Sequence, residues 1–365
     1  MQEMKRHTLP VLCIVLAVSL AAGPSANAAG KRDAKSESIC VACVRADMNF
    51  LAADELHGRG SGTRDEHLAA LYAASLFQSF GLEPLPAVAS EDGGYIQRAP
   101  LPAKFSNGME AYLKRLGIDQ AERTDTWNAM ALLRGTDWKD DGKDASANEV
   151  GANEVGTNEV ILLTAHLDHL GIGRPINGDA IYNGADDDAS GTTAVLELAR
   201  ALSQGRKPRR SILFVLFGSE ELGGLGDQYF LDHPPVPLTR IVTNLEFEMI
   251  GRPDPLLPNR TLWLTGYERS DLGPTLARRG AAISADPHPA EHFFQRSDNY
   301  YLAKRGIVAQ TVSSFGLHKD YHQPSDELSR IDFDFLTHSI GSMIEPVRWL
   351  ATTTWKPAWN AGGKP

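Results

Sequence analysis

The stretch VILLTAHLDH, residues 160–169, places an apolar run directly before two histidines and an aspartate. A continuous apolar run of this kind indicates a strand that is buried on both faces of a sheet. Residues 211–221, SILFVLFGSEE, repeat the arrangement and end in two glutamates. Between these stretches, residues 192–202 carry apolar side chains at helical spacing. Buried strands separated by helices predict an α/β domain whose sheet is covered by helices on both faces.

The same pattern continues through the second half of the chain and is weaker before residue 160. Further predicted elements are strands at 241–250, 261–265 and 307–313, and helices from near residue 44 and at 64–80, 109–116, 222–231 and 333–351. Gly81 is expected to end the helix at 64–80, whereas residues 82–127 are less regular. We therefore predict a three-layer α/β/α sandwich around a mixed, mostly parallel sheet.

Nearly every motif of acidic residues and histidines in the second half of the chain lies where a predicted strand ends, and the aspartate run 186–188 leads into a predicted helix. These residues are His166, Asp168, Asp186, Asp187, Asp188, Glu220, Glu221, Glu246, Glu248 and His322. Any one of them has an ordinary structural explanation. His166 alone would be a hydrogen-bonded core histidine, and Asp186 to Asp188 would be an acidic cap at a helix start. Glu220 and Glu221 would equally be acids of a first helical turn.

Taken together, these side chains indicate a metal centre. The ends of neighbouring strands in such a sheet meet at one crevice, which is where ligands bind. Carboxylates crowded there would repel one another and would lose their hydration at a large cost in free energy. Divalent cations remove that cost, and a mixture of imidazole and carboxylate ligands suits zinc.

These motifs resemble those of the secreted bacterial dizinc aminopeptidases, with glutaminyl cyclase and the transferrin receptor ectodomain as more distant relatives. The matching motifs are His166-x-Asp168, Gly184-Ala185-Asp186-Asp187-x-Ala189-Ser190-Gly191, Ser219-Glu220-Glu221, an acidic residue before Met249-Ile250-Gly251-Arg252, Arg296-Ser297-Asp298 and Tyr321-His322-x-x-Ser325-Asp326. Their order along the chain makes the signal specific. The resemblance is strong over 160–330 and weaker over 44–100, and it implies the zinc aminopeptidase fold.

The resemblance also implies roles for individual residues. His166 would bind one metal ion, and the carboxylate of Asp168 would orient it. Asp187 would bridge two metal ions. It is preferred to Asp186 because it lies three residues before Ser190, where relatives place the bridging aspartate. The family often has a cis peptide bond just after this aspartate.

The second metal ion would be held by Glu221 and His322, and Glu220 would act as general base. The acidic residue before Met-Ile-Gly is usually aspartate in the family, but here it is Glu248. The longer carboxylate of Glu248 is still the predicted ligand of the first ion. Glu246 lies two residues earlier on the same face of the strand and is the alternative ligand.

These roles imply an aminopeptidase that uses two Zn²⁺ ions, or other divalent metals, on peptides with a free N-terminus. The metals would lower the pKa of a water molecule, and Glu220 would take its proton as it attacks the peptide carbonyl. A carboxypeptidase, a dipeptide hydrolase or an aminoacylase-like enzyme on the same metal core remains an alternative. Glutaminyl cyclase chemistry is disfavoured because those relatives use one zinc and lack the first histidine, which is His166 here. A catalytically inactive binding domain would require lost ligands.

Composition and the N-terminal residues indicate the partners and the compartment of the protein. The chain has 365 residues, 42% of them hydrophobic, and a formal net charge of −10, which disfavours nucleic acid as a partner. Lys5 and Arg6 precede a short apolar run that leads to Ala26-Asn27-Ala28, the pattern of a cleaved signal peptide. We therefore expect a periplasmic or secreted monomer that has no membrane segment after cleavage.

The predicted organisation is a single catalytic domain between short terminal segments. Its parts are a signal peptide at 1–28, a flexible segment at 29–43, the catalytic domain at 44–356 and a C-terminal tail at 357–365. Within the domain, we predict a helical part at 44–130, a loop of short repeats at 138–160 and the catalytic motifs at 160–330. Cys40 and Cys43 are expected to form a local disulfide in an oxidising compartment, with no function assigned to them.

Overall fold

A computed structural model describes residues 38–85, 93–119, 123–139 and 158–365. Its strands are β1 (Ile96–Pro100), β2 (Asp125–Leu133), β3 (Val160–His166), β4 (Gly171–Ile176), β5 (Asp179–Tyr182), β6 (Ser211–Phe217), β7 (Ile241–Phe247), β8 (Leu262–Leu264), β9 (Ile283–Ala285) and β10 (Val308–Ser313). Its helices are α1 (Val41–Leu51), α2 (Arg64–Ser79), α3 (Asn107–Leu116), α4 (Gly191–Ser203), α5 (Leu225–Asp232), α6 (Leu272–Arg278), α7 (Asn299–Lys304) and α8 (Phe333–Thr352). The predicted signal peptide and most of the predicted repeat loop lie outside the described residues.

One large sheet organises the described residues, with the strand order β1-β2-β6-β3-β7-β10-β8-β9. Its centre, β6-β3-β7-β10, is parallel, and β8 and β9 are also parallel to each other. The pairs β1–β2, β2–β6 and β10–β8 are antiparallel. The predicted mixed, mostly parallel sheet is therefore confirmed.

Helices cover both faces of this sheet because alternate strand residues point to opposite sides. Ile161 and Leu163 of β3 belong to a hydrophobic cluster that includes residues of α1, α2, α4, α6 and α8. Val160 and Leu162 of the same strand belong to a second cluster, with residues of α5 and α7. The two clusters are the two interfaces of a three-layer α/β/α sandwich, as predicted.

Most element boundaries lie close to the predicted ones. β6 coincides with the predicted strand, and α4 begins and ends within one residue of its prediction. α2 begins after Thr63, whose hydroxyl accepts hydrogen bonds from the backbone of Asp65 and Glu66, and Gly81 follows it at φ +73°. The predicted helix at 222–231 starts only at Leu225, because two glycines with positive φ precede it.

The main difference from the prediction lies in the span 44–130, which is not purely helical. β1 and β2 both fall there and extend the sheet at one edge. Within that span, residues 82–127 gave a weak strand signal, since β1 contains Arg98 and Pro100 among its five residues. β1 joins the sheet through β2, and β2 in turn pairs with β6, which is distant in sequence. The short antiparallel hairpin of β4 and β5 was also not predicted.

The two ends of the described chain pack against the domain. Cys40 and Cys43 form a disulfide at the start of α1, as expected. Near the C-terminus, the backbone amide of Asn360 donates to the carbonyl oxygen of Arg269 at 2.8 Å. Across the described ranges, no helix combines the length and apolarity that crossing a membrane requires.

Candidate metal centre

The predicted site residues leave the sheet at one edge because β3, β6 and β7 are parallel. His166 is the last residue of β3 and pairs in register with Phe217, the last residue of β6. Thr164 pairs with Glu246 near the end of β7. The residues that follow these strands therefore meet at one crevice.

The predicted metal ligands form two adjacent groups that share Asp187. In the first group, His166, Asp187 and Glu248 each offer a ligand atom, and these atoms lie within 4.8 Å of one another. In the second group, Nε2 of His322 lies 3.2 Å from Oδ2 of Asp187 and 3.2 Å from Oε1 of Glu221. The structure thus brings all of the predicted ligands together around one carboxylate.

His169 also belongs to this cluster, although no role was predicted for it. Its Nδ1 atom lies 2.8 Å from Oε1 of Glu221 and 3.9 Å from Oδ2 of Asp187. The side chain is completely buried. The sequence signal was available, since His169 ends the same strand-end stretch that contains His166.

Several buried polar atoms of the cluster lack a hydrogen-bond partner among the described residues. They are Nε2 of His166, Oδ2 of Asp187, Oε1 of Glu221 and both ring nitrogens of His169. An unpaired buried polar group costs about 1–3 kcal/mol, and a charged group costs more. Cations between these atoms would pair them, and imidazole and carboxylate donors are the ligands that zinc prefers. The donor set therefore fits zinc.

Asp187 is the only member of the aspartate run 186–188 whose carboxylate faces the cluster. Oδ1 of Asp186 accepts a hydrogen bond from the backbone amide of Gly251 at 2.7 Å. Oδ1 of Asp188 accepts from the amides of Met249 and Gly191, both at 3.0 Å. The peptide bond between Asp187 and Asp188 is cis, as the resemblance implies.

Asp326 holds the backbone that carries Asp187, a role not foreseen from sequence. Its carboxylate accepts hydrogen bonds from the amides of Asp186, at 3.1 Å, and Asp187, at 3.0 Å. Burial raises the pKa of Asp326 to about 8. Arg252 donates to Asp320 at 2.9 Å and lies 3.5 Å from Asp326. Two separate sequence motifs are therefore connected through Arg252 and Asp326.

Asp168 positions the turn that carries the two glutamates. Its carboxylate accepts hydrogen bonds from the backbone amides of Glu220 at 3.0 Å and Glu221 at 3.4 Å, and from the hydroxyl of Ser61 at 2.5 Å. The carboxylate also lies 3.7 Å from Nδ1 of His166, the ring that it was predicted to orient. The contact of that ring with the carbonyl oxygen of Asp168 is shorter, at 3.2 Å.

Glu220 lies at the same crevice as the ligand atoms. Burial raises its pKa well above the usual range for glutamate, and the neighbouring carboxylates of Glu221 and Glu248 act in the same direction. A carboxylate with a raised pKa is a stronger proton acceptor. The electrostatics of this position therefore suit a general base.

The two glutamates at the end of β7 differ in their hydrogen bonding. Glu246 accepts hydrogen bonds from the hydroxyl of Ser297 at 2.8 Å, the amide of Asn299 at 2.7 Å and the hydroxyl of Thr311 at 3.0 Å. Glu248 is the one grouped with His166, and burial followed by the charge of Glu246 raises its pKa to about 8. The geometry therefore favours Glu248 over Glu246 as a ligand.

His322 is held in place by two aromatic neighbours. The hydroxyl of Tyr112, in α3, lies 2.6 Å from Nδ1 of His322, which leaves Nε2 facing Asp187 and Glu221. The ring of Tyr321 stacks on the imidazole with 3.8 Å between centroids. Sequence reasoning missed Tyr112, which lies 210 residues from His322 in the chain.

An aromatic cavity adjoins the cluster. It is lined by Glu248 together with the rings of Trp263, Phe293, Phe315 and Tyr321. Trp263 and Phe293 stack with 5.2 Å between centroids. The cavity therefore places apolar surface next to the predicted ligand of the first ion.

Comparison with known proteins agrees with this arrangement. The model of peptidase family M28 matches residues 148–345. Leupeptin-inactivating enzyme 1 of Streptomyces exfoliatus is 37% identical over 98 residues, which are 26% of this chain and 20% of that protein. Aminopeptidase YwaD of Bacillus subtilis is 34% identical over 93 residues, 25% of this chain and 18% of that protein. The chain thus spans about a fifth of the length of these curated relatives.

Solved structures share the fold over most of their length. A zinc aminopeptidase from Bacillus subtilis superimposes with a TM-score of 0.63 at 14% identity, covering 86% of this chain and 96% of that one. Glutaminyl cyclase of Porphyromonas gingivalis gives a TM-score of 0.53 at 18% identity, covering 86% and 97%. The family match includes the residues that form both ligand groups. The chain therefore belongs to peptidase family M28.

Proposed function

We propose that this protein is an exported aminopeptidase that uses two zinc ions to remove N-terminal residues from peptides. The observation that carries the proposal is the position of Asp187, whose carboxylate belongs to both ligand groups. One carboxylate shared between two sets of donors is the arrangement that a two-metal site requires. His166 and Glu248 complete the first set, and Glu221 and His322 the second.

The chemistry follows from the residues around this carboxylate. Two bound zinc ions would lower the pKa of a water molecule and polarise the peptide carbonyl. Glu220 takes a proton from the attacking water and passes it to the nitrogen of the leaving amine. Asp168 keeps Glu220 in position by accepting a hydrogen bond from its backbone amide.

The substrate class follows from the charge and shape of the crevice. One of the ions and the carboxylates beside it would hold the free α-amino group of a peptide N-terminus. The cavity lined by Trp263, Phe293 and Phe315 lies beside Glu248 and would receive the side chain of the N-terminal residue. Because aromatic walls favour apolar groups, we expect apolar N-terminal residues to be the preferred substrates.

Export is supported by two features at the N-terminus. The predicted signal peptide at 1–28 has the charge and apolar pattern that secretion machinery recognises. The disulfide between Cys40 and Cys43 is of a kind that persists in oxidising compartments. A periplasmic or secreted location accounts for both.

A substrate panel tests the proposed activity. Amino-acid p-nitroanilides and N-blocked peptides would be assayed with and without a chelator. We expect cleavage of free-amine substrates only, and its loss when the chelator is added. Cleavage of N-blocked peptides from their C-terminus would instead indicate a carboxypeptidase on the same core.

Glu220→Gln tests the assigned base. This variant keeps the shape of the side chain and should bind zinc normally, but it should lose nearly all turnover because the amide cannot accept the proton. Glu55→Gln, at an exposed position, is the matched control and should keep full activity. Normal turnover in Glu220→Gln would rule out Glu220 as the base.

A further inference from the structure

We infer that His169 is an additional ligand of the second metal ion, which is then held by Asp187, Glu221, His322 and His169. The inference rests on the proposed function, because it presupposes that metal ions bind between the two ligand groups. It assigns a role to a buried histidine that the motif pattern leaves without one.

Hydrogen bonds to the segment 59–61 hold the backbone of His169. Its amide donates to the carbonyl oxygen of Arg59 at 3.1 Å, and its carbonyl oxygen accepts from the amide of Ser61 at 3.1 Å. Arg59 is itself buried and donates to the carbonyl oxygens of Leu167 at 2.9 Å and Gly184 at 3.0 Å. These hydrogen bonds hold the backbone from which the imidazole enters the crevice.

The contact between His169 and Glu221 has the distance of a hydrogen bond but not its direction. Nδ1 of His169 and Oε1 of Glu221 are 2.8 Å apart, yet both remain without a hydrogen-bond partner in the described ranges. A ring nitrogen that donated to this oxygen would point its N–H along the line between the two atoms. Two ligands of one cation instead point at the cation, so they can lie close together without facing each other.

The surrounding distances agree with a shared cation. Nδ1 of His169 and Nε2 of His322 both lie close to the same two carboxylate oxygens, at 2.8 and 3.9 Å for His169 and at 3.2 Å to each for His322. Zinc binds nitrogen and oxygen ligands at about 2.0–2.2 Å, which separates neighbouring ligand atoms by roughly 3–3.5 Å. These side chains therefore supply the donors of a four-coordinate site.

Metal binding also reduces the number of unpaired polar atoms in the ring. Both nitrogens of His169 are buried and unpartnered within the described residues. Each such atom costs about 1–3 kcal/mol when it stays unpaired. A metal on Nδ1 pairs that nitrogen together with the oxygens of Glu221 and Asp187, and leaves Nε2 as the only unpaired atom of the ring.

The inference distinguishes the two ions. The second ion would have four protein ligands, whereas the first would have only His166, Asp187 and Glu248. Zinc sites with fewer protein ligands keep open positions for substrate or water, while an ion with four protein ligands takes the shared water as a fifth ligand. The substrate carbonyl would then bind at the first ion, on the side where Glu248 lines the aromatic cavity.

Zinc titration of the full mature chain tests the assignment through affinity. Metal-free protein would be titrated with zinc against a competing chelator, for the wild type, His169→Ala and the control His57→Ala. His57 is half-exposed and outside the cluster. We expect two zinc ions in the wild type and the control. In His169→Ala, the dissociation constant of one ion should rise by more than about a hundredfold, since loss of an indirect partner alone costs about 10–100-fold. Added imidazole should restore part of the lost zinc affinity.

A measurement on the wild type keeps the inference falsifiable if His169→Ala does not fold. In zinc-loaded protein labelled with ¹⁵N-histidine, Nδ1 of His169 should carry no proton and should show the shift of a metal-bound nitrogen. A proton on this Nδ1 while two zinc ions are bound, or unchanged zinc affinity in folded His169→Ala, would overturn the inference and leave the proposed function intact. Failure of the wild type to bind zinc would overturn the proposed function itself.

Discussion

At the residue scale, backbone conformation is as specific as side-chain chemistry near the candidate metal centre. Ser219, Met249 and His322 are not glycines, yet all adopt φ between 53° and 54°. This left-handed backbone conformation costs a residue other than glycine on the order of 1 kcal/mol, so surrounding contacts must stabilise the conformation. The amide of Ser219 donates to Glu66 at 2.8 Å, and that of Met249 donates to Asp188 at 3.0 Å. Buried carboxylates thus fix the turns that direct the predicted catalytic and ligand side chains.

Tyr112 is expected to tune the second metal ion through His322. The hydroxyl of Tyr112 lies 2.6 Å from Nδ1 of His322 and so fixes the ring orientation. Loss of such a partner costs about 10–100-fold in metal affinity. Tyr112→Phe should therefore weaken the binding of one zinc ion by about tenfold, as measured by competition with a chelator.

Tyr95→Phe is the matched control for this prediction. The hydroxyl of Tyr95 donates to the carbonyl oxygen of Leu82 at 2.8 Å, away from the metal centre. The control loses a hydrogen bond of similar length and should bind zinc like the wild type. Equal zinc affinity in Tyr112→Phe and Tyr95→Phe would show that Tyr112 does not position His322.

Asp47 gives the protein a pH-dependent stability that is separate from the metal centre. It is buried in α1 and accepts a hydrogen bond from the hydroxyl of Tyr72 at 2.8 Å. Burial, followed in the same direction by the charge of Glu197, raises the pKa of Asp47 from 3.8 to about 6. Folded Asp47 therefore binds a proton more tightly than unfolded Asp47, and its contribution to stability is present below pH 4 and is lost as the pH rises through 6.

Asp47→Asn should remove this dependence, because an amide keeps the acceptor for Tyr72 but does not ionise. A shift of about two pKa units corresponds to roughly 3 kcal/mol. Relative to the wild type, the unfolding free energy of Asp47→Asn should rise by about 2–3 kcal/mol between pH 4.5 and 7.5, measured by urea unfolding of metal-free protein. A difference that stays constant over this range would contradict the prediction.

At the scale of elements, a buried arginine joins the start of two central strands to the end of the last helix. Arg210, just before β6, donates to Glu159, just before β3, at 2.6 Å. It also donates to the carbonyl oxygens of Leu350 and Trp355, both at 2.9 Å, at the end of α8. One guanidinium thus pairs backbone and side-chain acceptors from three segments.

Arg210→Met should destabilise the fold by about 1–3 kcal/mol, since it leaves the helix-end carbonyls without donors, while Glu159 keeps Lys356 at 2.6 Å and Arg209 at 3.3 Å. Thermal or urea unfolding measures the loss. Arg206→Met, at an exposed position nearby, should change stability by less than about 0.5 kcal/mol. The interpretation fails if both variants unfold alike.

Sequence predicted the elements whose signal is local and missed those that depend on distant pairing. The apolar runs of β3 and β6 alone predict strands, because a strand covered on both faces is apolar along its whole length. β1 carries exposed Arg98 and Pro100, so its place in the sheet follows from its antiparallel partner β2. The β4–β5 hairpin had a usable signal, since Asn177-Gly178 occupies its turn with positive φ at both residues.

The candidate site divides in the same way. Every predicted ligand came from a short motif, in which a few neighbouring residues specify position. Tyr112 and Asp326 act on ligands from α3 and from the loop after β10, and no local pattern connects them to those ligands. His169 lay within a predicted motif, but the sequence alone does not distinguish a metal-binding histidine from a buried histidine of the core. The two ring nitrogens of His169, which lack a partner among the described residues, are what distinguish it from a core histidine.

At the scale of the whole molecule, the metal centre joins segments that are far apart in the chain. The ligand atoms come from the ends of β3 and β7, the turn before α4, the turn after β6 and the loop after β10. Without cations, the carboxylates in this cluster face one another with unpaired atoms. Bound ions should therefore stabilise the entire fold as well as the crevice.

Chelation should lower the melting temperature of the protein by an amount that depends on free zinc. Zinc present at a thousandfold excess over its dissociation constant stabilises the folded state by about 4 kcal/mol per site. In a domain of this size each kcal/mol shifts the melting temperature by roughly 2 °C, so chelation should lower it on the order of 10 °C. Asp187→Asn should lose most of this shift, because Asp187 belongs to both ligand groups. Calorimetry with and without chelator measures both effects. If the chelator leaves the melting temperature of the wild type unchanged, no ion connects these segments.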